Sequence, residues 1–531
     1  DNFFELGGDS ILSIQIVSRA KQAGMKLTPR QLFENQTVGT LAAVADLGAG
    51  AEAADAEQGP VIGDVPLTAV QHWFFELEVP ERSHFNMALM LDVEKRVQPE
   101  HLERALRELD AHHDALRLRF RRDGDRWAQR IAPVESATFV AVEDLAGASE
   151  DELATRAAAH QTALDLERGP LMRAVLFERG ADRPQRLLWI VHHLAVDGVS
   201  WRILLEDLDR VLGQLERGEA VALPPKTTSF QRWAKLLGDH AAAPERHAEA
   251  NEWAARLGTT AIERGAAGRE AAARHVSVTL EAEETRALLT EVPKTYNTQI
   301  NDILLTALVH AHATWSGEPS LLLNLEAHGR EEIFDGVDLA RTVGWFTTDY
   351  PVLLNDVFPF EPGAALRAVK EQLRAIPDQG LGFGVTRYLA PDAALVERLR
   401  SLPRPAVGFN YMGQFDRVFR DAGRFRYCSA PSGPEHDPAG ERIFPLEVNG
   451  MVSGDRLAMD FVYSEGHHGR EAIERLAGSF LDVLRGLVEH CLSPDAGGFT
   501  ASDFSDFAWD DSELAAIASA IKRTQAKEGE K

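Results

Sequence analysis

Apolar and polar residues follow one another along this chain in two successive cycles of helical and extended patterns. Apolar residues at helical spacing, such as Leu102, Ala105 and Leu109, predict amphipathic helices, and short apolar runs such as RLLWIV predict buried strands. The first cycle predicts these elements in chain order: a helix at 100–120, strands at 169–178 and 186–191, a helix at 203–216 and helical sequence at 245–275.

The second cycle repeats this alternation in the other half of the chain. It predicts these elements in chain order: a strand at 275–281, helices at 283–291 and 300–314, strands at 319–326, 348–354, 405–412 and 443–464, and a closing helix at 470–490. Alternation of this kind is typical of a mixed α/β (α+β) fold. We therefore expect two similar lobes, at 61–270 and 271–510.

The two ends of the chain carry different patterns. Residues 1–47 predict a small helical segment, whose second helix begins near Thr37. Residues 48–60 are small, acidic and turn-rich, which predicts a linker. Residues 511–531 predict a short helix and a polar tail. The sequence thus indicates a helical segment that is joined to a much larger domain.

The composition narrows the class of partner. The chain has 56 Lys and Arg against 82 Asp and Glu, so its formal charge is 56 − 82 = −26, which argues against nucleic-acid binding. It has two cysteines, Cys428 and Cys491, which exclude a disulfide scaffold and a cysteine-based zinc site. No apolar run is long enough to span a membrane. We expect a cytoplasmic protein that binds neither nucleic acid nor membrane.

The string LGGDS places Ser10 at a predicted helix start, after two glycines. Free backbone N–H groups and the helix dipole favour a phosphate there, although Ser10 or Asp9 is equally suited to be an ordinary N-cap. The longer string DNFFELGGDSILSIQIVSRAKQAG resembles the peptidyl carrier domain of nonribosomal peptide synthetases. The resemblance implies that Ser10 carries 4′-phosphopantetheine. It also implies that residues 1–47 are an incomplete carrier, because the first helix of that family would precede Asp1.

The run LLWIVHHLAVDGVSW ends a predicted buried strand with His192 and His193. Because neighbouring residues of a strand point to opposite faces, only one of the two can face a common site. A histidine suits proton transfer near neutral pH, since its ordinary pKa is about 6.5. The other histidine is expected to be a core residue that is held by hydrogen bonds.

The motif HHLAVDG resembles the HHxxxDG signature of the condensation-domain superfamily. The resemblance implies two chloramphenicol-acetyltransferase-like lobes that form a V, with the active-site tunnel between them. Asp197 and Gly198 close the motif at the turn into the next helix. Asp197 is able to orient the site residues without touching the substrate, but we favour a structural role in the turn. The signature does not separate members that make peptide bonds from members that epimerize.

Further stretches resemble motifs of epimerization domains. They are LTAVQHWFFE at 67–76, EAHGREE at 326–332, RTVGWFTTDYP at 341–351 and VGFNYMGQFD at 407–416, with PDQGLGFG at 377–384 as a diverged glycine-rich loop. In the second stretch, Ala327 replaces a glycine of the EGHGRE motif. The DFGWG motif expected near the end of condensation domains does not occur in the sequence. The resemblance therefore favours an epimerization domain over residues 60–510.

Glu326 ends the apolar strand LLLNL, where a strand can present a side chain to a cleft. The residue alone is better explained as a surface carboxylate or as the ion-pair partner of Arg330, but the motif context reverses this preference in favour of catalysis. A second stretch, SEGHHGRE at 464–471, copies the same letters but lacks a following RTVGWFTTDYP. It leads into the closing helix, so Glu465 and Arg470 are expected to be helix-start residues with capping roles.

Inversion of an α-carbon requires that a proton leave one face and another arrive on the opposite face, which two acid/base groups achieve economically. The resemblance implies that His193 and Glu326 are this pair. The enolate oxygen also needs a hydrogen-bond donor, for which His192, Asn410 and Tyr411 are candidates. No metal is implied, and no lysine motif suggests pyridoxal phosphate.

The expected function is L-to-D epimerization of an aminoacyl or peptidyl thioester on the carrier. The resemblance implies three kinds of protein partner: an upstream adenylation domain, a phosphopantetheinyl transferase, and a downstream condensation domain or module. Two alternatives stay open. One is a condensation domain that uses the same His193, and the other is a non-catalytic recruitment platform of the same fold.

Overall fold

The computed structural model of this chain describes most of the large domain and part of the segment before it. The described residues are 35–45, 56–135, 137–258, 267–357, 359–414 and 423–504, with scattered positions before residue 35. Ser10, most of the predicted linker and all of 511–531 lie outside them. The helix predicted near Thr37 is confirmed as α1 (Val38–Val44), which Thr37 caps by accepting a hydrogen bond from the backbone N–H of Thr40.

The elements of the first half agree in type with most of the predicted pattern. In chain order they are β1 (Gly63–Val65), α2 (Ala69–Glu76), β2 (Asn86–Val93), α3 (Pro99–His112), β3 (Leu118–Asp123), β4 (Arg126–Ile131), β5 (Val140–Asp144), α4 (Glu150–His160), β6 (Met172–Glu178), β7 (Gln185–His192), α5 (Gly198–Glu216), α6 (Phe230–Ala241) and α7 (Glu245–Leu257).

The second half contributes the remaining described elements. In chain order they are β8 (Ala273–Leu280), α8 (Ala282–Thr290), α9 (Val292–Tyr296), α10 (Ile300–Ser316), β9 (Ser320–Ala327), β10 (Thr348–Asn355), α11 (Pro362–Arg374), α12 (Leu381–Leu389), α13 (Ala393–Arg400), β11 (Val407–Gln414), β12 (Phe425–Tyr427), β13 (Leu446–Ser453), β14 (Arg456–Ser464) and α14 (Arg470–Cys491). No helix among the described residues is long and apolar enough to cross a membrane.

Three predicted elements have wrong boundaries. The helix predicted at 100–120 ends at His112, because the buried Arg117 side chain binds the carbonyl oxygens of Ala132 and Val61 and holds the chain in a turn before β3. The helical sequence predicted at 245–275 is helical only in α7, and β8 has already begun at Ala273. The strand predicted at 443–464 is the hairpin of β13 and β14.

The first core surrounds a five-stranded sheet of order β12–β2–β7–β6–β5. Along β7, Trp189 and Val191 face one hydrophobic cluster and Leu188 and Ile190 face another, as strand alternation requires. Both clusters are fully buried, which explains why β7 reads as a continuous apolar run rather than an alternating one. The strand β7 therefore ends, at His192, among fully packed side chains.

The second core lies against one face of a six-stranded sheet of order β10–β9–β11–β13–β14–β8. The helices α10 and α14 cover that face and bury Leu304, Leu308 and Phe480 in the same cluster as Leu323 of β9. The expected mixed α/β class with two lobes is confirmed. The predicted boundaries at 61–270 and 271–510 stay a prediction.

The two halves are not separate units, because segments of the second half complete the first core. Leu339, Val343, Trp345 and Phe346, from the connection between β9 and β10, are buried in the first cluster. The strand β12 forms the edge of the first sheet by pairing with β2. The chain therefore passes through the first lobe on its way from β9 to β10.

A buried ion pair ties the last described residues to the second lobe. Lys370 of α11 donates to both carboxylate oxygens of Asp503, at 2.6 and 2.7 Å, and to the carbonyl oxygen of Tyr296 at 2.9 Å. The side chains of Lys370 and Asp503 are 1 % and 5 % exposed. A buried ammonium such as that of Lys370 is destabilising unless a counter-charge such as Asp503 stays beside it.

We expect Asp503→Ala to lower the free energy of unfolding by about 3–5 kcal/mol, because it leaves the Lys370 ammonium buried without a counter-charge. Glu474→Ala, which removes the exposed i,i+4 partner of Arg470, is the control and should change it by less than about 1 kcal/mol. Urea denaturation followed by tryptophan fluorescence measures both variants. Equal effects would contradict a structural role for the Lys370–Asp503 pair.

Candidate active site

His193 lies where β7 ends and a short 3-10 turn, His193–Ala195, leads toward α5. Its Nδ1 is 3.0 Å from the carbonyl oxygen of Val196. Because a carbonyl oxygen only accepts, Nδ1 carries the proton and Nε2 presents a lone pair. The ring of Trp345 packs against the imidazole, with ring centres 4.2 Å apart. The turn and the indole together fix the direction of a basic nitrogen.

The surroundings keep His193 neutral. Burial lowers the pKa of His193 to about 4, and the nearby His436 contributes in the same direction. At pH 7 the imidazole is therefore an unprotonated base rather than an imidazolium.

His192 has different surroundings, as the alternation along the strand predicts. It is fully buried, its Nε2 donates to the carbonyl oxygen of Arg82 at 2.8 Å, and its Nδ1 accepts from the N–H of Leu194 at 3.1 Å. Burial lowers its pKa to about 3. Both ring nitrogens are engaged within the protein, so this geometry favours the core role over the role of a donor to substrate.

Asp197 connects the histidine motif to the second half of the chain. It caps α5 by accepting a hydrogen bond from the N–H of Ser200 at 2.7 Å. Its two carboxylate oxygens also accept from Nη2 of Arg330, at 2.9 and 3.0 Å. The side chains of Asp197 and Arg330 are 5 % and 1 % exposed. This geometry supports the structural role for Asp197 that the sequence favours.

Both terminal nitrogens of the Arg330 guanidinium are hydrogen-bonded on this side of the cleft. It donates to the carbonyl oxygen of Thr342 at 2.8 Å and to Oγ of Ser200 at 3.0 Å, and it lies 3.9 Å above the ring of Phe346. It therefore binds Asp197 and not Glu326, and the ordinary ion-pair alternative for Glu326 is wrong.

Gly329 allows the EAHGREE segment to make this turn. Its φ is +66°, and a Cβ at this position would overlap the carbonyl oxygen of Phe346. Only glycine meets both conditions without strain. The backbone at Gly329 therefore packs directly against the backbone of Phe346, in the RTVGWF segment.

Glu326 occupies the end of β9 in the second lobe. Nδ2 of Asn410, on β11, donates to its Oε2 at 2.7 Å. The side chain is accessible to solvent, yet enough protein surrounds the carboxyl group that burial is the largest cause of a pKa well above the ordinary value, followed by the charges of Asp349 and Glu447. The carboxyl group therefore favours its protonated form.

Glu326 belongs to a row of polar residues that crosses the face of the second sheet opposite to the core. Direct strand register aligns Asp349 with Glu326 and Asn410 with Asn449, and the hydrogen bond between Asn410 and Glu326 joins the two pairs. Register extends the row from Asn449 to Asp460 and Ser277. Side chains of directly paired residues share one face. The face that is not covered by α10 and α14 is thus polar along its whole width.

An open cavity between the lobes reaches the immediate neighbours of both residues. Its walls include Trp73 and Trp345, and on the side of the second sheet Asn324 and Asp349. Trp345 contacts His193, and Asp349 is the register partner of Glu326. His193 and Glu326 themselves lie just beyond these walls. The cavity therefore approaches the candidate pair from one side.

The remaining predicted site residues have less distinctive surroundings. Gly198 is the exposed first residue of α5, and no atom lies within 4 Å of the place where a Cβ would be, so nothing there requires a glycine. Tyr411 follows Asn410 on β11, and its half-buried ring lies over Gly450. Ser10 lies outside the described residues. The structure thus brings Glu326 and Asn410 into contact and leaves Gly198 apart.

The look-alike motif at 464–471 has ordinary surface surroundings. Glu465 is exposed and pairs with Arg274 at 3.0 Å, and Arg470 pairs with Glu474 at 2.7 Å. The expected capping roles are wrong, because Gly469 is the N-cap of α14 and no side chain caps that helix.

The sequence reasoning missed several residues of the site. Trp345 contacts His193 and lies within the RTVGWFTTDYP motif, so the motif itself marks it as a candidate site residue. Asp349 lies in the same motif, but its pairing with Glu326 depends on strand register. His436 belongs to no motif, yet its ring stacks on Phe85 at 4.2 Å, and Phe85 in turn packs against His193.

Comparisons with known proteins agree with this geometry. The family model described as "Condensation domain" matches residues 61–507, and the one described as "Phosphopantetheine attachment site" matches residues 1–45. One of the linear gramicidin synthase proteins of Brevibacillus parabrevis is 43 % identical over 541 aligned positions, which cover 99 % of this chain and 10 % of that protein. The chain thus spans about a tenth of the length of this relative.

Two solved structures share the fold. The epimerization domain from the third module of tyrocidine synthetase B is 34 % identical, with a TM-score of 0.77 over 82 % of this chain and 98 % of that one. The first condensation domain of the calcium-dependent antibiotic synthetase is 19 % identical, with a TM-score of 0.63 over 81 % of this chain and 98 % of that one. The second likeness bears on the fold alone.

We expect Asp197 and Arg330 to be strongly coupled in a double-mutant cycle. Asp197→Ala and Arg330→Ala should each cost about 3–5 kcal/mol, because each leaves a buried charge without its partner. The double variant should cost less than the sum of the two by about 2 kcal/mol or more. Urea denaturation of the four proteins gives the coupling energy.

The control cycle uses Arg104 and Glu108, an exposed i,i+4 pair on α3 with an N···O distance of 4.0 Å. Its coupling should stay below about 1 kcal/mol. Additive effects of Asp197→Ala and Arg330→Ala would contradict a direct link between the two motifs.

Proposed function

This chain belongs to the condensation-domain family, with a phosphopantetheine attachment segment ahead of the domain, and from this premise we propose that it epimerizes the α-carbon of a carrier-bound acyl group. The substrate is an aminoacyl or peptidyl group held as a thioester on the carrier segment. The observation that carries the proposal is Glu326, a carboxyl group on the polar face of the second sheet that Asn410 holds at 2.7 Å and whose pKa burial and neighbouring acids raise.

The surroundings of the two candidate groups favour the protonation states that inversion requires. His193 offers an unprotonated Nε2 from the first lobe, and the raised pKa of Glu326 favours a protonated carboxyl group on the second. One group can remove the α-proton while the other delivers a proton to the opposite face. In the reverse direction the roles exchange. We propose His193 and Glu326 as this pair.

The donor Asn410 supports the same reaction from the second sheet. Its Nδ2 holds Oε2 of Glu326 at 2.7 Å, which fixes the direction of the carboxyl group. We assign Asn410 the role of orienting Glu326. Tyr411 does not meet the expectation of a donor to the thioester oxygen, because it packs against the second core, on the face of the sheet opposite to Glu326.

The carrier segment fits the proposed prosthetic group. The described positions after Ser10, such as Leu12, Ser13, Ile16 and Val17, are helical, as the sequence predicts for the segment that follows the attachment serine. When bound, phosphopantetheine supplies the thioester that acidifies the α-hydrogen of the attached group. Attachment at Ser10, loading by a phosphopantetheinyl transferase, and adenylation and condensation neighbours are part of this proposal.

The distinction from peptide-bond formation depends on the second acid/base group. Attack of an amine on a thioester needs one group to orient or deprotonate the amine, which His193 alone can supply. Inversion needs a second group on the opposite face, and the carboxyl of Glu326 meets that need. The 34 % identity with a solved epimerization domain supports the same choice.

We expect Glu326→Gln to reduce interconversion of the L- and D-forms by about 100-fold or more, because the amide keeps the size of the carboxyl but cannot transfer its proton. The measurement is α-deuterium incorporation and the D/L ratio in deuterated water, with the carrier loaded separately with L- and D-phenylalanyl groups. No acceptor carrier is present, so peptide-bond formation cannot contribute.

The matched control for this experiment is Glu465→Gln, in the look-alike motif, which should retain wild-type exchange. In Glu326→Gln, exchange should either proceed with retention or be absent, according to the isomer supplied, because one face can still lose and regain its proton. Wild-type racemization by Glu326→Gln, with loss in Glu465→Gln, would overturn the assignment of Glu326. A wild-type protein that shows no exchange would overturn epimerization itself.

We expect His193→Ala to abolish interconversion of the L- and D-forms, while His192→Asn should mainly lower the free energy of unfolding. The pKa of His193 predicts the sign of the pH dependence. Because the folded pKa is lowered to about 4, the base form persists as pH falls through 6.5 and is lost only near 4. Wild-type exchange at pH 5.5 should therefore be close to that at pH 7. An acidic limb near 6.5 would contradict an enclosed, neutral His193.

A further inference from the structure

Asp349 is the residue of β10 that lies directly opposite Glu326 in the antiparallel register with β9. Directly opposite residues have Cβ atoms about 4.5–5.5 Å apart and side chains on one face. Nδ2 of Asn324, two residues before Glu326 on the same face, donates to Oδ1 of Asp349 at 2.7 Å. An asparagine thus holds each of two neighbouring carboxyl groups, Asn324 for Asp349 and Asn410 for Glu326.

The charges around this carboxyl pair do not neutralise it. No ion pair joins a lysine, arginine or histidine to Asp349 or Glu326 in the described parts of the chain. On β13, Glu447 adds a third acid, whose own cation is Arg442 at 3.0 Å. Arg442 also faces Glu270 at 3.7 Å.

Among the described residues, few positively charged side chains near the carboxyl pair lack other partners. Arg387 of α12 lies 3.8 Å from Glu76 and donates to the carbonyl oxygen of Leu399 at 2.9 Å. Arg404 and Tyr388 line the same cavity as Asp349. The charge of His436 acts on the neighbouring Glu447, where it opposes the raised pKa of that carboxyl group. Two carboxylates in such a place repel each other more than any neighbour attracts them.

We propose that Asp349 is a positioning residue for the reaction: it shares one proton with Glu326 and so holds that proton on the second-lobe side of the cleft. The inference rests on the proposed function of Glu326 and goes beyond it, because it gives Asp349 a role. Two adjacent carboxyl groups in a partly desolvated site oppose each other's ionisation, and their titration belongs to the pair.

The titration of the groups agrees in direction with this geometry. Burial raises the pKa of Asp349 to about 6, and burial with the charge of Asp349 raises the pKa of Glu326 well above its ordinary value. The pKa of His193 is lowered to about 4, so the imidazole is neutral where the carboxyl groups titrate. Once the carboxyl pair has lost the first of its two protons, it holds one transferable proton. Exchange should therefore have an alkaline limb that reports loss of that proton.

Replacement of Asp349 by asparagine removes the neighbouring negative charge and keeps an oxygen that accepts from Asn324. The pKa of Glu326 then falls, so the shared proton is lost at lower pH. We expect Asp349→Asn to move the alkaline limb of deuterium exchange down by at least one pH unit. Its exchange rate should fall about tenfold on the alkaline side and stay within twofold of wild type at pH 5.5. Asp349→Glu should keep the wild-type limb.

The experiment uses the full chain, loaded with L- or D-phenylalanyl groups, between pH 5 and 9. Glu447→Gln is the matched control and should shift the limb less than Asp349→Asn, because Arg442 already compensates Glu447. An unshifted limb in Asp349→Asn, or a loss of rate that is equal at every pH, would overturn the inference. Equal failure of Asp349→Asn and Asp349→Glu at every pH would do the same.

A second readout does not depend on turnover. Infrared difference spectra between wild type and Glu326→Gln give the titration of the Glu326 carboxyl group, and the same difference in an Asp349→Asn background gives it without the neighbour. A lower midpoint in that background supports the shared proton, and an unchanged midpoint overturns it. If wild-type protein shows no exchange but the midpoint shifts, the proposed function fails and the carboxyl pair stands.

Discussion

The ion pair between Asp197 and Arg330 is the constraint on which the rest of the site depends. Asp197 follows His193 by four residues, and Arg330 follows Glu326 by four residues. The pair therefore holds together the two turns that leave the strands on which the candidate acid/base groups sit. A buried pair of this kind contributes little net stability compared with apolar packing. Its value here is geometric, since neither turn can shift without separating charges that have no access to water.

Burial shifts the pKa values of the two candidate groups in opposite directions, and each shift favours the neutral form of its group. The histidine loses its proton because burial penalises the imidazolium, and the glutamate keeps its proton because burial penalises the carboxylate. An uncharged base and an uncharged acid avoid the cost of placing ions in a partly desolvated cleft. In a chain of formal net charge −26, the surroundings of both candidate groups thus favour their uncharged forms.

The sequence predicts the parts of this site that depend on local pattern. The buried strands that end at His192 and Glu326 are long apolar runs with polar residues after them, so their ends can be placed from the sequence. The role of Asp197 at the start of a helix has a local signature as well. These features need no knowledge of which strands are neighbours.

The parts that the sequence does not predict depend on pairing between distant segments. Asp349 meets Glu326 only because β10 and β9 pair in one register, and a shift by one residue would place it on the other face. The partner of Arg330 is 133 residues away. The turn at Arg117 replaced the end of a predicted helix because its guanidinium binds carbonyl groups outside that helix. Local propensity contains none of this information.

The strand β12 and the segment after it have a consequence for the order of events during synthesis. They cover the edge of β2, where the N–H of Asn86 donates to the carbonyl oxygen of Glu435 at 2.8 Å and the N–H of Asp437 donates to that of His84 at 3.0 Å. At about 5–20 residues per second, the ribosome needs roughly 12–50 s to advance from His192 to Asp437. For that time the first sheet has an unpaired edge that is able to bind another strand. The nascent chain is therefore most exposed to misassembly with a neighbouring copy on the same polysome before its second half emerges.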